Sequence, residues 1–258
     1  MLRGLLFALV AALSIVATAV AMAPAQWVAS AIEETTGGRI VLAGATGSVW
    51  GGQASVVLSP GRDAGIDRIG LPEALSWQLS PWKLATGTVD LTLTHPSALL
   101  QPLQLRADLS GRVELQAATV RLPAALLAGL GAPFNTIKPG GVISLAWQRL
   151  EFHRGRMQGD VIGEWQFATS ALTAVAPFGS YRLLAEGGYP GTRLMLSTLS
   201  GPLELTGNGT IDEQGSFRFS GRARAQSDVD ASTRAQLAGL VLLLGRRDGD
   251  SAILSLGN

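Results

Sequence analysis

The stretch "TVDLTLTH", residues 88–95, carries the pattern that decides the fold. Its apolar residues Val89, Leu91 and Leu93 alternate with polar ones, so that every second side chain is apolar. Successive side chains of a β-strand point to opposite faces of the sheet. This spacing therefore predicts a strand with one face buried and the other in water.

The same alternation recurs along most of the chain and defines the fold class. Glycine-rich turns separate the alternating stretches, and the chain has 32 glycines and 12 prolines, which favour many turns. We therefore predict a mainly β protein built on a curved antiparallel meander. The further alternating stretches are 103–117, 141–152, 163–170, 192–201, 202–211 and 216–225, followed by a last strand at 251–256.

A few short helices are predicted to precede or interrupt this meander. Residues 24–38 and 122–132 each have a proline near the start and glycine at the end, as short helices often do. A third helix, residues 230–244, has Asp230 or Ser232 as its N-cap and ends before a glycine. One face of this helix is apolar and consists of Leu237, Leu240, Val241 and Leu244.

The beginning of the chain contains a long apolar segment. From Leu5 to Ala23 there is no charged residue, and a helix of this length is about sufficient to cross a hydrocarbon core of ~30 Å. Two interpretations are open: an uncleaved membrane anchor, or a signal peptide with Ala21 and Ala23 before its cleavage site. We favour the anchor, because Pro24 would otherwise be the first residue after cleavage and the segment is long for a signal peptide.

The anchor divides the chain into a transmembrane helix, residues 1–26, and a β-rich domain, residues 27–258. With the positive end, at Arg3, inside, the domain lies in the periplasm. Trp27, just after the apolar segment, suits the membrane interface. We therefore expect a single-pass membrane protein with most of its chain in the periplasm.

Composition and motifs argue against catalysis and against binding of nucleic acid. The net charge is +1 and only 15% of the residues are charged, so no strong field attracts nucleic acid. The chain has no cysteine, and His95 and His153 do not have the spacing of a metal-ligand pair. Neither a phosphate-binding glycine loop nor a G-x-S-x-G motif is present. We predict a protein that is not an enzyme and uses no cofactor or metal.

Tryptophan and glycine form the clearest local motif. Trp50 stands beside Gly51 and Gly52, just before an apolar run. We expect Trp50 to pack inward, so that its loss costs far more stability than the loss of either histidine, and the glycines to let the strand bend. The tryptophans as a group either fill the core of the sheet or line an apolar groove or partner surface. They are Trp27, Trp50, Trp77, Trp82, Trp147 and Trp165.

The strand "SFRFSGRARA", residues 216–225, alternates aromatic and basic residues. Phe217 and Phe219 predict a packed face, and the opposite face carries arginine. Because this strand comes late in the meander, we expect it at or near an exposed edge, where charged side chains prevent unwanted pairing. The alternative is that the arginines bind acidic groups of a partner. These arginines are Arg218, Arg222 and Arg224.

Six boxes follow one another in order: "GATGSVWGG" (44–52), "LSWQLSPWKLATGTVDLTL" (75–93), "GGVISLAWQRLEF" (140–152), "PFGSYRLLAEG" (177–187), "LSTLSGPLELTGNGT" (196–210) and "AQLAGLVLLLG" (235–245). With the apolar N-terminal segment and the chain length, this series resembles protein N of the bacterial type II secretion system. The resemblance covers almost the whole chain. The residues it singles out as structural or interaction candidates are Trp50, Gly51, Gly52, Trp77, Pro81, Trp82, Gly87, Pro177, Gly179 and Tyr181.

The resemblance implies an inner-membrane protein accessory to a machine that exports folded proteins across the outer membrane. It implies no activity, and the partners would be other components of the inner-membrane platform or the secretin. The sheet is also similar to the half-pipes of AsmA-like, lipid-handling periplasmic proteins, a likeness of fold alone. Two functions therefore stay open: protein contacts through sheet edges or strand faces, and binding of lipid in an apolar groove. A concave face wide enough for an acyl chain favours the second function, whereas a face filled by its own side chains favours the first.

Overall fold

The computed structural model contains one large curved antiparallel sheet, which confirms the predicted meander. The structure describes residues 7, 14, 18–61, 68–132 and 134–257. Within this part of the chain fifteen strands pair almost entirely in sequence order, and the exceptions lie at the two ends. The sheet order is β1-β2-β4-β5-β6-β7-β8-β9-β10-β11-β12-β13-β15-β14, with β3 paired to β2.

The strands have the following bounds. They are β1 (Ile40–Gly47), β2 (Gly51–Leu58), β3 (Ile69–Gly70), β4 (Leu75–Leu79), β5 (Thr88–Thr94), β6 (Leu103–Asp108), β7 (Val113–Pro123), β8 (Gly140–His153), β9 (Arg156–Thr169), β10 (Gly179–Gly187), β11 (Gly191–Ser200), β12 (Leu203–Asp212), β13 (Phe217–Ala225), β14 (Arg246–Asp248) and β15 (Ser251–Gly257). The stretch quoted first in the sequence analysis therefore forms β5, as its alternation predicts.

Short helices lie between the strands, and the three predicted ones are confirmed. They are α1 (Ala25–Thr35), α2 (Pro81–Ala85), a 3₁₀ helix (Ala124–Leu130), α3 (Phe134–Ile137) and α4 (Ala231–Leu244). Of the two N-cap candidates for α4, Asp230 is correct, because its carboxylate accepts hydrogen bonds from the backbone N–H groups of Ser232 and Thr233. The hydrogen bonds from Ser232 and Thr233 hold the pKa of Asp230 well below its usual value.

The predicted membrane anchor lies largely outside the described residues. Within the described part, residues 18–21 are helical and lead into Pro24, which bridges to Ser48 at the end of β1. None of the helices that the structure describes is both long enough and apolar enough to cross a membrane.

A register shift in the middle of the sheet keeps the apolar side chains on one face. In β9, Val161 and Met157 are an even number of residues apart and share a face. Their partners in β8, Trp147 and Phe152, are an odd number apart, and the register shifts between them. The bulge adds one residue to β8, so that Trp147 and Phe152 lie on the same face although they are an odd number of residues apart. The simple alternation did not predict this bulge.

Helices cover the two ends of this apolar face. Near the N-terminal end α1 packs on the first strands, and the buried residues there are Ala25, Leu42, Ala54 and Trp77. Near the C-terminal end α4 packs on the last strands, and the buried residues there include Phe178, Tyr181, Leu203, Leu237 and Leu240. Burial of one such large apolar side chain stabilises the fold by about 1.5–3 kcal/mol.

The edges of the sheet are β1 and β14, so the arginine strand lies near an edge, which the prediction allowed, and not at it. This strand, β13, pairs with β12 on one side and β15 on the other, because the chain returns after α4 and adds two more strands. The actual edges are protected against further pairing. On β1, the N–H of Ile40 donates to the hydroxyl of Thr36 at 3.2 Å, and this hydroxyl itself donates to the carbonyl oxygen of Ile32 at 2.7 Å. The other edge, β14, is short and consists of Arg246, Arg247 and Asp248.

Candidate interaction surfaces

The two tryptophan boxes of the sequence meet in the structure. Strands β2 and β4 are neighbours, and their register places Gly52 opposite Trp77. Trp77 is 5% exposed, and its Nε1 donates to the carbonyl oxygens of Ser48 at 3.3 Å and Val49 at 3.2 Å. Its ring lies over Gly52, where a Cβ would stand 2.5 Å from Cζ2 of the indole. Glycine is therefore needed at this position to leave room for the ring.

Trp50 has a different role, and the prediction that it packs into the core is wrong. The residue is only half-buried, in the connection between β1 and β2. Its Nε1 donates to the carbonyl oxygen of Val20 at 2.8 Å, and the neighbouring N–H of Val49 donates to Ala23 at 2.9 Å. A Cβ added at Gly51 would meet only the carbonyl oxygen of Trp77, at 3.9 Å. Trp50 therefore fastens the N-terminal segment to this end of the sheet.

The rest of the second box forms an exposed projection. Pro81 is the first residue of α2, and Trp82 in the same helix is 82% exposed. Gly87 ends the connection to β5 and contacts the side chain of Leu109, which is 90% exposed in the turn between β6 and β7. We call the exposed apolar residues at this end of the sheet the apolar rim; they are Trp27, Trp82, Leu84 and Leu109.

The first residues of the fourth box, 177–181, belong to the C-terminal core. Pro177 lies exposed before β10, whereas Gly179 is buried and close against the hydroxyl of Tyr181. This hydroxyl donates to the carbonyl oxygen of Leu203 at 3.0 Å, and burial raises the pKa of the phenol. The ring of Phe178 stands edge-on to the Trp165 ring at 5.6 Å. The box therefore has a packing role.

An apolar cleft opens between the middle of the sheet and the short helices. Its volume is about 400 Å³, within the range of small-molecule sites in proteins. The sheet forms its floor, and the loop with α3 and the end of α4 form its sides. Leu183 in the floor is 39% exposed, so the cleft is open to solvent. Lining side chains include Leu127, Phe134, Ile137, Leu145, Trp165, Leu183, Leu196, Leu205 and Leu240.

The opposite face of the sheet carries ion pairs around an apolar strip. Cross-strand pairs join Glu164 to Arg182 at 2.7 Å and Glu186 to Arg193 at 3.0 Å. The hydrogen bonds from Arg182 and Gln166 hold the pKa of Glu164 below its usual value. Between these two rows, four neighbouring strands each contribute one apolar side chain. We call this strip the outer apolar row; it consists of Ala146, Ile162, Leu184 and Met195.

The three arginines of β13 lie on the same outer face but differ in their partners. Arg224 pairs with Glu204 at 2.8 Å, and Arg222 lies 3.6 Å from Asp248. Arg218 lies in a shallow depression beside polar side chains that include Asn208, Thr210, Ser220 and Ser255. Two of the three arginines therefore neutralise carboxylates of the sheet itself.

The two histidines are far apart in the structure. His95 follows β5, and His153 ends β8. His95 is only 3% exposed, so its replacement is not a change at the surface. Its Nδ1 accepts hydrogen bonds from the N–H groups of Ser97 at 3.3 Å and Ala98 at 3.0 Å. The ring therefore holds the turn that lays residues 98–100 beside β7.

We expect His95→Ala to lower the free energy of unfolding by about 1–2 kcal/mol, a loss comparable to that of a helix cap, because two backbone N–H groups lose their acceptor. His95→Asn keeps an acceptor within reach of the same groups and should recover part of this loss. Urea unfolding of both variants measures the difference, with His153→Ala as the comparison. Equal losses for His95→Ala and His95→Asn would contradict the acceptor role.

The geometry defines the class of protein: an open antiparallel sheet with one apolar face and one face that carries ion pairs. Its candidate functional features are surfaces for binding. Among the described side chains, no group of three or more His, Cys, Asp or Glu residues could hold a metal ion. The family model described as type II secretion system (T2SS), protein N, matches residues 38–254, and the chain belongs to this family. The protein is thus a component of type II secretion and acts in protein transport.

No curated relative and no solved structure matches the chain significantly. The likeness to AsmA-like half-pipes therefore stays a prediction. The family match spans the sheet from just after α1 into β15, so it includes all six boxes of the sequence analysis.

Proposed function

We propose that the protein is an accessory component of the type II secretion system, anchored in the inner membrane by its N-terminal segment, with the sheet in the periplasm. In this position the sheet binds another component of the inner-membrane platform or the secretin. The match to the family carries the proposal, and the charge-free segment from Leu5 to Ala23 supports the anchor.

The outer apolar row is the surface best suited to such a contact. It places exposed apolar side chains in the centre, with Ile162 41% exposed, and charged pairs on both sides. Protein interfaces commonly have an apolar centre that excludes water and a polar rim that sets specificity. The protected edges of the sheet favour a contact through this face over the addition of a strand at an edge.

Ile162→Glu is expected to weaken co-purification with the partner and to reduce secretion, because a carboxylate would be buried at the centre of the contact. The fold should change little, since the side chain is already partly in water. Leu183→Glu is the matched control: it has similar exposure but lies in the cleft on the opposite face. Retained co-purification of Ile162→Glu would exclude the outer apolar row as the contact.

A second function, binding of an acyl chain, is favoured by the cleft. Its lining side chains are almost entirely apolar and leave open space, so the concave face is not filled by its own side chains. A ligand there would have to be apolar along its buried part, because polar groups would find few partners. The acyl chain of a lipid has this chemistry.

The same two variants test the second function with the roles exchanged. We expect Leu183→Glu to remove lipid that co-purifies with the protein, because the carboxylate enters the apolar cleft. Ile162→Glu, on the opposite face, should leave lipid binding intact. Solvent extraction and mass spectrometry of the purified full-length chain give the measurement, and equal lipid content in all three proteins would contradict a lipid site in the cleft.

A further inference from the structure

The apolar rim lies at one end of the sheet by topology. Helix α2 connects β4 to β5, and Leu109 lies in the turn between β6 and β7. Antiparallel pairing places both connections at the same end as the turn that contains Trp50, since Gly51 pairs with Gln78 and Thr88 pairs with Asp108. A Cβ added at Gly87 would stand 2.8 Å from Cδ1 of Leu109, so the two connections lie side by side.

The N-terminal segment leaves the sheet at this same end. The hydrogen bond from Trp50 to Val20 and the one from Val49 to Ala23 hold the last residues of the segment against the turn. Leu79 donates in turn to the carbonyl oxygen of Trp50 at 2.8 Å, so the turn is tied to the strand that leads into α2. The charge-free stretch of the sequence therefore joins the domain beside the exposed side chains of the rim.

The chemistry of the rim is that of a membrane interface. Trp82 and Leu109 stand almost fully in water, and Trp27 and Leu84 are 63% and 42% exposed, although such large apolar groups usually find cover. Lys83 lies between Trp82 and Leu84 in α2. Arg112 lies in the same turn as Leu109, where it pairs with Glu151 at 3.1 Å. Amphipathic indole rings together with basic groups suit the headgroup region of a bilayer, where the rings meet apolar chains and the cations meet phosphates.

We propose that the apolar rim rests in the headgroup region of the bilayer that holds the N-terminal segment, so that the sheet stands upright on the membrane. The proposal rests on the proposed anchor. It adds a fixed orientation, in which residues at the rim touch lipid and residues at the far end of the strands do not.

The test uses the full-length chain in vesicles of phosphatidylethanolamine and phosphatidylglycerol. The protein has no native cysteine, so a single introduced cysteine carries a polarity-sensitive fluorophore without further change. The variants are Trp82→Cys and Leu109→Cys at the rim. Leu100→Cys is the matched control, because Leu100 is 53% exposed and lies at the opposite end of the strands. Spin-labelled lipids serve as the quencher, and flotation of the vesicles reports membrane attachment.

We expect the fluorophore at Leu109 and at Trp82 to shift to shorter wavelengths and to lose fluorescence when spin-labelled lipid is present. The fluorophore at Leu100 should show neither change. Flotation without quenching at the rim, or equal quenching at Leu109 and Leu100, would overturn the rim contact and leave the anchor standing. A chain that does not float with the vesicles would overturn both the anchor and the rim contact.

Discussion

Replacement of Trp77 by alanine is expected to lower the free energy of unfolding by about 3–5 kcal/mol, as is typical for the loss of a buried large aromatic side chain. The ring is 5% exposed and belongs to the cluster that joins α1 to the first strands. Its Nε1 also bonds two carbonyl groups of the turn that holds the N-terminal segment. The substitution therefore removes apolar burial and leaves the turn without its donor.

Trp82→Ala provides the matched control for Trp77→Ala. It deletes the same side chain from the same sequence box, but its ring is 82% exposed, so the change in stability should stay within about 0.5 kcal/mol. Chemical unfolding followed by circular dichroism gives both values. Similar losses in the two variants would contradict the assignment of Trp77 to the core and Trp82 to the surface.

The alternation of apolar residues was sufficient to predict the sheet, but it did not show which of its tryptophans is buried in the core. Trp50 stands before two glycines and an apolar run, and Trp77 alternates with Leu75 and Leu79, so each suits a packed position of a strand. Their difference arises from pairing between strands: β4 brings Trp77 over Gly52, whereas Trp50 remains in the turn. Such pairing is a tertiary property, and no local pattern contains it.

The exact place of β13 near the edge also depends on strand pairing, which no local pattern contains. A late strand in a meander is normally close to an edge, and the arginines suited that expectation. The chain continues through α4, however, and β15 returns to pair with the outer side of β13. Arg224 then faces Glu204 of β12, and Arg222 faces Asp248 of β14 across β15. Sequence order thus predicts most of the strand neighbours up to β13. After α4 it fails, because β15, and not β14, pairs with β13.

The candidate surfaces were predictable only in part. Leu183 and Leu184 are adjacent, so they place one apolar side chain on each face of β10. The sequence does not say which groups cover either face. The cleft forms because α3 and α4 stand above one face and leave space between them. The outer apolar row forms because four strands align their apolar residues in register. Both features depend on register and on helix placement, which the sequence pattern leaves undetermined.

The second large effect is expected at Gly52. Gly52→Ala should destabilise the protein by about 1–3 kcal/mol, the usual cost of forcing extra atoms into a packed core. The added Cβ would lie 2.5 Å from Cζ2 of Trp77 and 2.6 Å from the carbonyl oxygen of Thr46. The second contact matters most, because a backbone atom in a paired strand cannot move aside as a side chain can. Gly51→Ala is the control, since its nearest neighbour, a carbonyl oxygen, is 3.9 Å from the added carbon.

A double-mutant cycle separates the two contacts at Gly52. In the Trp77→Ala background the ring is absent, so the added Cβ collides only with the carbonyl oxygen of Thr46. We therefore expect Gly52→Ala to cost less in that background than in the native chain, with a coupling energy of about 0.5–3 kcal/mol, as is found for residues in direct contact. Unfolding in urea of the native chain, both single variants and the double variant gives the coupling. If the stability losses of Gly52→Ala and Trp77→Ala were strictly additive, the packing of the ring would not depend on the glycine. If Gly51→Ala lost as much stability as Gly52→Ala, both glycines would serve the bend of the strand and neither would serve the packing of Trp77.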